Sequence, residues 1–204
     1  MDKIAKIYYI NLDSRTDRNG EILHEFEKLK VKNFERFSAV KSQFGGRNGC
    51  TLSHVRLWNI INNNHKNDYI MILEDDAKFT VKRKKLDKII SEFISLKSKK
   101  ILALGFHKMT NSTEIYKKNR TFSYCFNFLT TSAYVLHGSL ASKLLEHFNN
   151  QKIDFLNDVD TGIIVDIYIK MFQRKGYYII PHRHIVVQRK SYSDIEGRIV
   201  KYNA

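Results

Sequence analysis

The feature that most constrains this chain is an apolar run that ends in three consecutive acids. Tyr69–Leu73 is a short apolar stretch, which is typical of a strand buried on both faces of a sheet. Glu74, Asp75 and Asp76 follow it directly. In open α/β sheets, ligands bind beyond the carboxyl ends of the strands. The run therefore predicts a carboxylate cluster at the ligand-binding edge of a sheet.

Three adjacent carboxylates repel one another, and this repulsion points to a bound cation. Mg²⁺ or Mn²⁺ relieves it, because these hard ions prefer carboxylate oxygen and leave coordination positions open for substrate phosphates. The alternative interpretation is a helix cap or a polar strand end. The run by itself leaves both interpretations open.

Short apolar segments alternate with amphipathic segments along the rest of the chain. The predicted strands are Ile4–Ile10, Phe34–Val40, Tyr69–Leu73, Ile101–Phe106, Ser132–Leu136, Tyr177–Ile180 and Ile185–Val187. The predicted helices are one capped by Asp13 or Ser14, followed by Thr51–Asn64, Lys82–Lys99, His137–Phe148 and Ile163–Gln173. Residues 107–131 are hard to assign. The alternation predicts an α/β fold with a mainly parallel central sheet flanked by helices, and the length predicts a single domain over residues 1–204.

The charge balance favours anionic partners without choosing among them. The chain has 35 Lys and Arg against 21 Asp and Glu, a formal net charge of +14, which suits nucleotides, phosphorylated glycans, anionic membranes or nucleic acid. A compositional bias is the alternative explanation. The two cysteines, Cys50 and Cys125, do not make a disulfide framework. With no signal-peptide core and no apolar window of ~18 residues, we expect a cytoplasmic protein, soluble or peripherally associated with an anionic membrane.

Three segments carry a family resemblance. They are Ile10–Arg18, with the letters INLDSRTDR, then Gly49–His54, with the letters GCTLSH and Trp58 shortly after, and Leu73–Ala77, with the letters LEDDA. In this order and spacing they resemble glycosyltransferase family 25, which includes lipooligosaccharide galactosyltransferases and collagen hydroxylysine galactosyltransferases.

Later segments extend the resemblance to nearly the whole chain. Ala133–Leu136 is similar to a strand of the family, Asp166 matches an acid after the following helix, and Pro181–Gln188 with Ser193–Ile195 resembles its closing segment. Residues 149–163 read as an insertion before Asp166.

The resemblance implies a GT-A-like fold and a metal-dependent transferase. It implies that a hexose, galactose or glucose, moves from a UDP-sugar to a hydroxyl of a glycan, glycoprotein or glycolipid, with inversion. No stable nucleic-acid partner is expected. The alternatives are a metal-dependent nuclease, for which Asp76-Ala77-Lys78 has the D-x-K form, and a catalytically silent domain that binds nucleotide or glycan.

The acid cluster stands where the family has its metal-binding motif. Asp76 is the first choice for direct contact with Mn²⁺ or Mg²⁺, and Glu74 for the ribose, a metal-bound water or the metal. Alternation along an extended segment places Glu74 and Asp76 on one side and Asp75 on the other, towards the acceptor or the metal shell. His182 or His184 supplies a third ligand by analogy with the broader fold; the alternative for both is the surface.

Two groups of residues are candidates for donor binding. Asn11 and Leu12 follow the first strand. We expect the Asn11 amide to contact the base or ribose, and the alternative is that Asn11 is a turn residue. We expect Arg15 and Arg18 to pair with phosphate, and the alternative is an exposed ion pair with Asp17.

Phe44–Gly49 contains three of the nine glycines and is predicted to be a flexible loop. Ser53 and His54 open the helix that follows, and the amino end of a helix favours an anion. The alternative is a histidine that caps its own turn.

An inverting transfer needs a general base, and Asp166 is the best candidate because it matches the family acid. Asp154, Asp158 and Asp160 in the same stretch are the other candidates for this base. The alternative for Asp166 is an ion pair with Lys170 on the same helix face.

Overall fold

The computed structural model describes residues 1–97, 100–108, 113–129, 131–193, 195 and 197–200. The strands in this part of the chain are β1 (Lys6–Asn11), β2 (Phe34–Ser38), β3 (Tyr69–Glu74), β4 (Ala77–Phe79), β5 (Ile101–Ala103), β6 (His107–Lys108), β7 (Glu114–Lys117), β8 (Phe122–Phe126), β9 (Phe128–Leu129), β10 (Ala133–His137), β11 (Tyr178–Pro181), β12 (Val186–Gln188), β13 (Ser191–Ser193) and β14 (Arg198–Val200). The α-helices are α1 (Thr16–Lys28), α2 (Gly46–Asn64), α3 (Arg83–Ser95), α4 (Ala141–Asn150), α5 (Val165–Tyr168) and α6 (Lys170–Arg174). A 3₁₀ turn, Gly138–Leu140, precedes α4.

The central sheet has eight strands in the order β2-β1-β3-β10-β5-β11-β8-β7. Strands β10 and β8 are antiparallel to both of their neighbours, while β2, β1 and β3 pair in parallel, as do β5 and β11. Six of the eight strands therefore run in one direction, which confirms the predicted mainly parallel sheet. Three two-stranded pairs lie beside it, formed by β12 with β4, β13 with β14, and β6 with β9.

Helices cover both faces of this sheet. In β3, Ile70 and Ile72 point into a core with α2 and α4, while Met71 and Leu73 point into a second core with α1 and α3. All four side chains are fully buried, and each contributes roughly 1.5–3 kcal/mol of transfer free energy by leaving water. This two-sided burial explains why the strand is a continuous apolar run rather than an alternating one.

Strand pairing determines which polar groups meet at the end of β3. Ile10 of β1 is opposite Glu74, so Asn11 lies beside the acids. The antiparallel strand β10 begins at the same edge, where Ala133 is opposite Leu73, and this register brings Thr131 next to Glu74. The sheet thus assembles the cluster from three strands.

Several predicted boundaries were wrong. Helix α1 begins at Thr16 and neither Asp13 nor Ser14 caps it; the Asp13 carboxylate accepts hydrogen bonds from Arg36 and Ser38 instead. The run predicted as Ile163–Gln173 is two short helices, α5 and α6. The unassigned residues 107–131 contain β6, β7, β8 and β9.

Helix α2 begins at Gly46, five residues before the predicted start at Thr51. Gly49 belongs to this helix, and a Cβ atom there would overlap the carbonyl oxygen of Val40. The sequence predicts a loop for this glycine-rich stretch, but Gly49 serves the close packing of the helix against the segment after β2.

Among the described helices, we find none that combines the length and the apolar character needed to span a bilayer.

Candidate active site

Two adjoining cavities open at the edge where β1 and β3 end. The larger has a volume of about 460 Å³ and the smaller about 350 Å³. The larger cavity is lined by residues that include Leu12, Arg18, Ser53, His54, Glu74, Asp75 and Asp76. The smaller is lined by residues that include Arg47, His107, Leu129, Thr131, Ile164 and Asp166. Four residues line both and form a shared wall: Cys50, Glu74, Gln188 and Ile195.

Asp75 is held by two donors from the first βα unit. Arg18 donates from Nη1 to its Oδ1 at 2.9 Å, and Asn11 donates from Nδ2 to its Oδ2 at 2.8 Å. Burial raises the pKa of Asp75, and the charge of Arg18 and the amide of Asn11 oppose that rise. Asp75 therefore serves to anchor the end of β3 to helix α1.

Arg18 and Asn11 each make further contacts. Arg18 donates from Nη2 to Ser191 Oγ at 2.8 Å and to the Tyr192 carbonyl at 2.7 Å, which ties β13 to the edge of the larger cavity. The Asn11 oxygen accepts from Arg36 Nε at 2.9 Å. The Asn11 amide is thus engaged within the protein, and Asn11 is not part of the cavity lining.

Asp76 differs from its neighbour in having an unsatisfied oxygen. Its Oδ2 accepts from Gln188 Nε2 at 3.3 Å and lies 3.9 Å from Arg18 Nη1, but its buried Oδ1 has no hydrogen-bond partner within the described residues. Burial, followed by the charge of Glu74, raises the pKa of Asp76 to about 8. A buried carboxylate oxygen in this position fits a hard cation, which would supply a partner and hold the group ionised.

Glu74 is oriented by a chain of buried aromatic groups. Trp58 Nε1 donates to Tyr134 Oη at 2.9 Å, Tyr134 Oη lies 2.9 Å from His54 Nδ1, and His54 Nε2 lies 3.4 Å from Glu74 Oε1. Burial works to raise the pKa of Glu74, but the hydrogen bond and charge of His54, the hydrogen bond of Thr131 and the charge of Arg18 together lower it. His54 itself is completely buried.

Asp166 lines the smaller cavity and is linked through Thr131 to Glu74 of the shared wall. The hydroxyl of Thr131 lies 2.8 Å from Glu74 Oε1 and 3.2 Å from Asp166 Oδ1, so it links the two acids. Burial, followed by the charge of Glu74, raises the pKa of Asp166 to about 6. That value lies close to the pH at which a general base operates.

Arg15 forms the ion pair with Asp17 that was the alternative interpretation of this residue. Its Nε and Nη2 donate to Asp17 at 2.9 and 2.7 Å, and its Nη1 donates to the Tyr192 carbonyl at 3.2 Å. Arg15 lines neither cavity.

The prediction that Ser53 and His54 open a helix was wrong, because α2 begins at Gly46 and both residues lie in its interior. The Ser53 hydroxyl donates to the Gly49 carbonyl at 2.7 Å and accepts from the Val40 amide at 2.9 Å. Both residues still line the larger cavity, but not through a helix N-terminus.

The structure separates His182 and His184 from the acid cluster. Strand β12 pairs with β4 so that Gln188 is opposite Ala77, next to Asp76. His184 lies four residues back along the chain, about 13 Å at the rise of a strand, and its ring stacks on Phe106 with centroids 4.2 Å apart. His182 is exposed. Neither histidine lines either of these two cavities, and the β12 residue that contacts Asp76 is Gln188.

Sequence reasoning missed Gln188, Thr131 and Cys50. Gln188 donates to Asp76 and accepts from His107 Nε2 at 2.7 Å, so it joins the two cavities. Thr131 joins Glu74 to Asp166. Gln188 and Thr131 are far in sequence from the residues that they contact, so no local pattern predicts them. Cys50 belongs to the recognised GCTLSH segment and could have been considered as a site residue with it.

The comparison with known families decides the class of this protein. The sequence model of glycosyltransferase family 25, described as an LPS biosynthesis protein family, matches residues 45–163. This chain belongs to glycosyltransferase family 25. The match spans more than half of the chain and includes the acid cluster together with Cys50 and Glu74 of the shared wall, and it favours glycosyl transfer over the nuclease alternative. This chain is therefore a glycosyltransferase, and its fold is GT-A-like.

Two solved structures, with TM-scores of 0.50 and 0.51, share the fold of this chain. A197 from STIV shares 10% identity, covers 98% of this chain and 95% of its own, and superposes with a TM-score of 0.50. The mannose-1-phosphate geranyltransferase from Thermus thermophilus shares 6% identity over 88% of this chain and 73% of its own, with a TM-score of 0.51. A glycosyltransferase involved in glycosylation of the PBCV-1 major capsid shares 14% identity over 87% and 80%, with a TM-score of 0.47. No curated protein sequence matches this chain.

Proposed function

We propose that this glycosyltransferase moves a hexose, galactose or glucose, from a UDP-sugar in the larger cavity to an acceptor hydroxyl in the smaller cavity. The observation that carries the proposal is the shared wall: Glu74 faces both cavities, with Asp76 on one side and Asp166 on the other. A transferase needs two substrate sites that meet where the bond is exchanged, and this wall is such a meeting point.

The larger cavity suits the donor. Its volume of about 460 Å³ is in the range of small-molecule sites, and the acids at the end of β3 are at the edge where α/β sheets bind nucleotides. Asp76 through Oδ1, with Glu74 beside it, would hold Mn²⁺ or Mg²⁺. When bound, such an ion neutralises charge on the diphosphate leaving group.

The smaller cavity suits the acceptor, and Asp166 is its general base. The Asp166 carboxylate takes the proton of the acceptor hydroxyl, and the hydroxyl oxygen forms a bond to the anomeric carbon. The bond from that carbon to the diphosphate oxygen breaks, and UDP leaves with the electron pair. Attack from the side opposite the leaving group inverts the anomeric configuration. The net charge of +14 supports a glycan, glycoprotein or glycolipid acceptor that is anionic or lies on an anionic membrane.

Thermal unfolding with nucleotides tests this proposal. UDP with Mn²⁺ at about 100 times its dissociation constant adds about 2.7 kcal/mol, which raises the melting temperature by roughly 5 °C or more for a chain of this size. We expect Asp76→Asn to lose the Mn²⁺-dependent part of that rise. Asp17→Asn is the matched control, since Asp17 is an exposed acid outside both cavities, and it keeps the full rise.

Two results would overturn the proposal. One is a UDP-induced rise that is the same with and without Mn²⁺ and in Asp76→Asn. The other is a rise with single-stranded or duplex DNA and none with UDP, GDP or CMP nucleotides.

A further inference from the structure

Cys50, His54 and Glu74 bring three different kinds of ligand atom together in and beside the shared wall. A thiol sulfur, an imidazole nitrogen and a carboxylate oxygen of these residues all lie within 4.8 Å of one another. Cys50 and His54 are four residues apart on α2, so they share one face of that helix, and Glu74 reaches them from the end of β3. This convergence comes from two separate elements of the fold.

The spacing of two of these atoms suits a common metal ion. His54 Nε2 and Glu74 Oε1 are 3.4 Å apart, which is long for a hydrogen bond. Two atoms that each lie about 2.0–2.1 Å from a tetrahedral zinc ion are separated by about 3.3 Å. The pair is therefore already at the separation that two ligands of one ion require.

The groups behind these ligands hold them in a metal-binding orientation. The second ring nitrogen of His54 contacts Tyr134 Oη at 2.9 Å, and Trp58 donates to that oxygen. The Thr131 hydroxyl contacts Glu74 Oε1 at 2.8 Å. Metal-binding histidines and carboxylates are usually fixed by such partners. Cys50 and Glu74 line both cavities, so a bound ion would be accessible to water as a fourth ligand.

We propose that Cys50, His54 and Glu74 form a three-ligand site for a divalent transition metal of the zinc class. The site differs from the hard-cation position at Asp76, because a thiolate ligand selects Zn²⁺ or Co²⁺ over Mg²⁺ and Mn²⁺. On binding, the S–H bond of Cys50 breaks, the sulfur coordinates the ion and the proton passes to solvent. An ion here engages Glu74 and stands between the two cavities, so it inhibits transfer; this last consequence rests on the proposed function.

Titration of the metal-free protein with Co²⁺ tests the site without substrate or turnover. We expect a thiolate-to-cobalt charge-transfer band in the near ultraviolet and the visible bands of tetrahedral Co²⁺, saturating at one ion per chain. Excess Zn²⁺ removes both and excess Mg²⁺ does not. Cys50→Ser loses the charge-transfer band. Cys125→Ala is the matched control, because Cys125 is buried in the apolar core, and it keeps the band.

Three outcomes would overturn the site. They are Co²⁺ binding to the wild-type protein without a charge-transfer band, a band that persists in Cys50→Ser, and an X-ray absorption spectrum of the zinc-loaded wild type without a sulfur ligand. The last measurement needs no variant, so it stands even if Cys50→Ser fails to fold. None of these results depends on UDP or Mn²⁺ binding, so the site and the proposed function succeed or fail separately.

Discussion

Asp75 lines the larger cavity and Asp166 lines the smaller one, and these two buried acids have different hydrogen-bond partners. On the larger side, the guanidinium of Arg18 donates directly to Asp75, and the Asn11 amide adds a second bond. On the smaller side, the described hydrogen bond to Asp166 comes from the neutral hydroxyl of Thr131. Burial raises the pKa of Asp75, but its cationic partner Arg18 opposes that rise, whereas the pKa of Asp166 is raised to about 6, so Asp166 changes its proton occupancy near neutral pH. The difference fits an anchoring role for Asp75 and the proposed role of Asp166 as the proton acceptor.

The largest expected effect is on the proton acceptor. Asp166→Asn keeps the size of the side chain but removes the base, so kcat should fall by about 10³-fold, within the usual contribution of general-base catalysis. The KM for the UDP-sugar should stay unchanged, because Asp166 does not line the larger cavity. Steady-state transfer with a panel of UDP-sugars measures both. Asp154→Asn is the control, since Asp154 is an exposed acid of the same stretch; an equal loss in that variant would contradict the assignment.

The second-largest expected effect is on protein stability, through the contact between Arg18 and Asp75. Arg18→Gln leaves the Asp75 carboxylate buried without its cation, which should lower the free energy of unfolding by about 3 kcal/mol. Arg15→Gln breaks a pair with the exposed carboxylate of Asp17, so it should cost about 1 kcal/mol or less. Urea unfolding of the two variants measures the contrast. Equal losses would show that burial does not distinguish the two arginines.

The smallest effect is on the pH profile. The base must be ionised, and Asp166 has a pKa of about 6, so kcat/KM should fall as the pH drops through 6 and be about tenfold below its plateau at pH 5. At saturating Mn²⁺, this acidic limb should vanish in Asp166→Asn. A wild-type profile that stays flat between pH 5 and 7 would exclude Asp166 as the base.

Sequence reasoning located the sheet edge because its signal is local. The run Tyr69–Leu73 is apolar since it is buried on both faces, and the acids that follow it come to the edge by chain connectivity alone. The same logic placed β1 and β10 correctly to within two residues. The larger cavity is built from these regular elements, and much of its lining was therefore predictable.

The smaller cavity was harder to predict because its walls come from irregular or very short segments. His107 and Leu129 belong to two-residue strands, and Asp166 lies in a four-residue helix. Gln188 reaches Asp76 across 112 positions of sequence, and no periodicity in the sequence records such a contact. The helix predicted at Thr51–Asn64 starts too late for a different reason. In the sequence alone, a glycine that permits close packing within a helix cannot be distinguished from a glycine in a loop.

The hydroxyl of Thr131 has one hydrogen and two acidic neighbours, at 2.8 and 3.2 Å. It can satisfy Glu74 or Asp166 as a donor, but not both at once. In the proposed reaction Asp166 captures the proton of an acceptor hydroxyl, and it can then donate this hydrogen to the Thr131 oxygen while the Thr131 hydroxyl donates to Glu74. By this proposal the three side chains share one more hydrogen bond after transfer than before it, and Asp166 must release its proton before the next turnover.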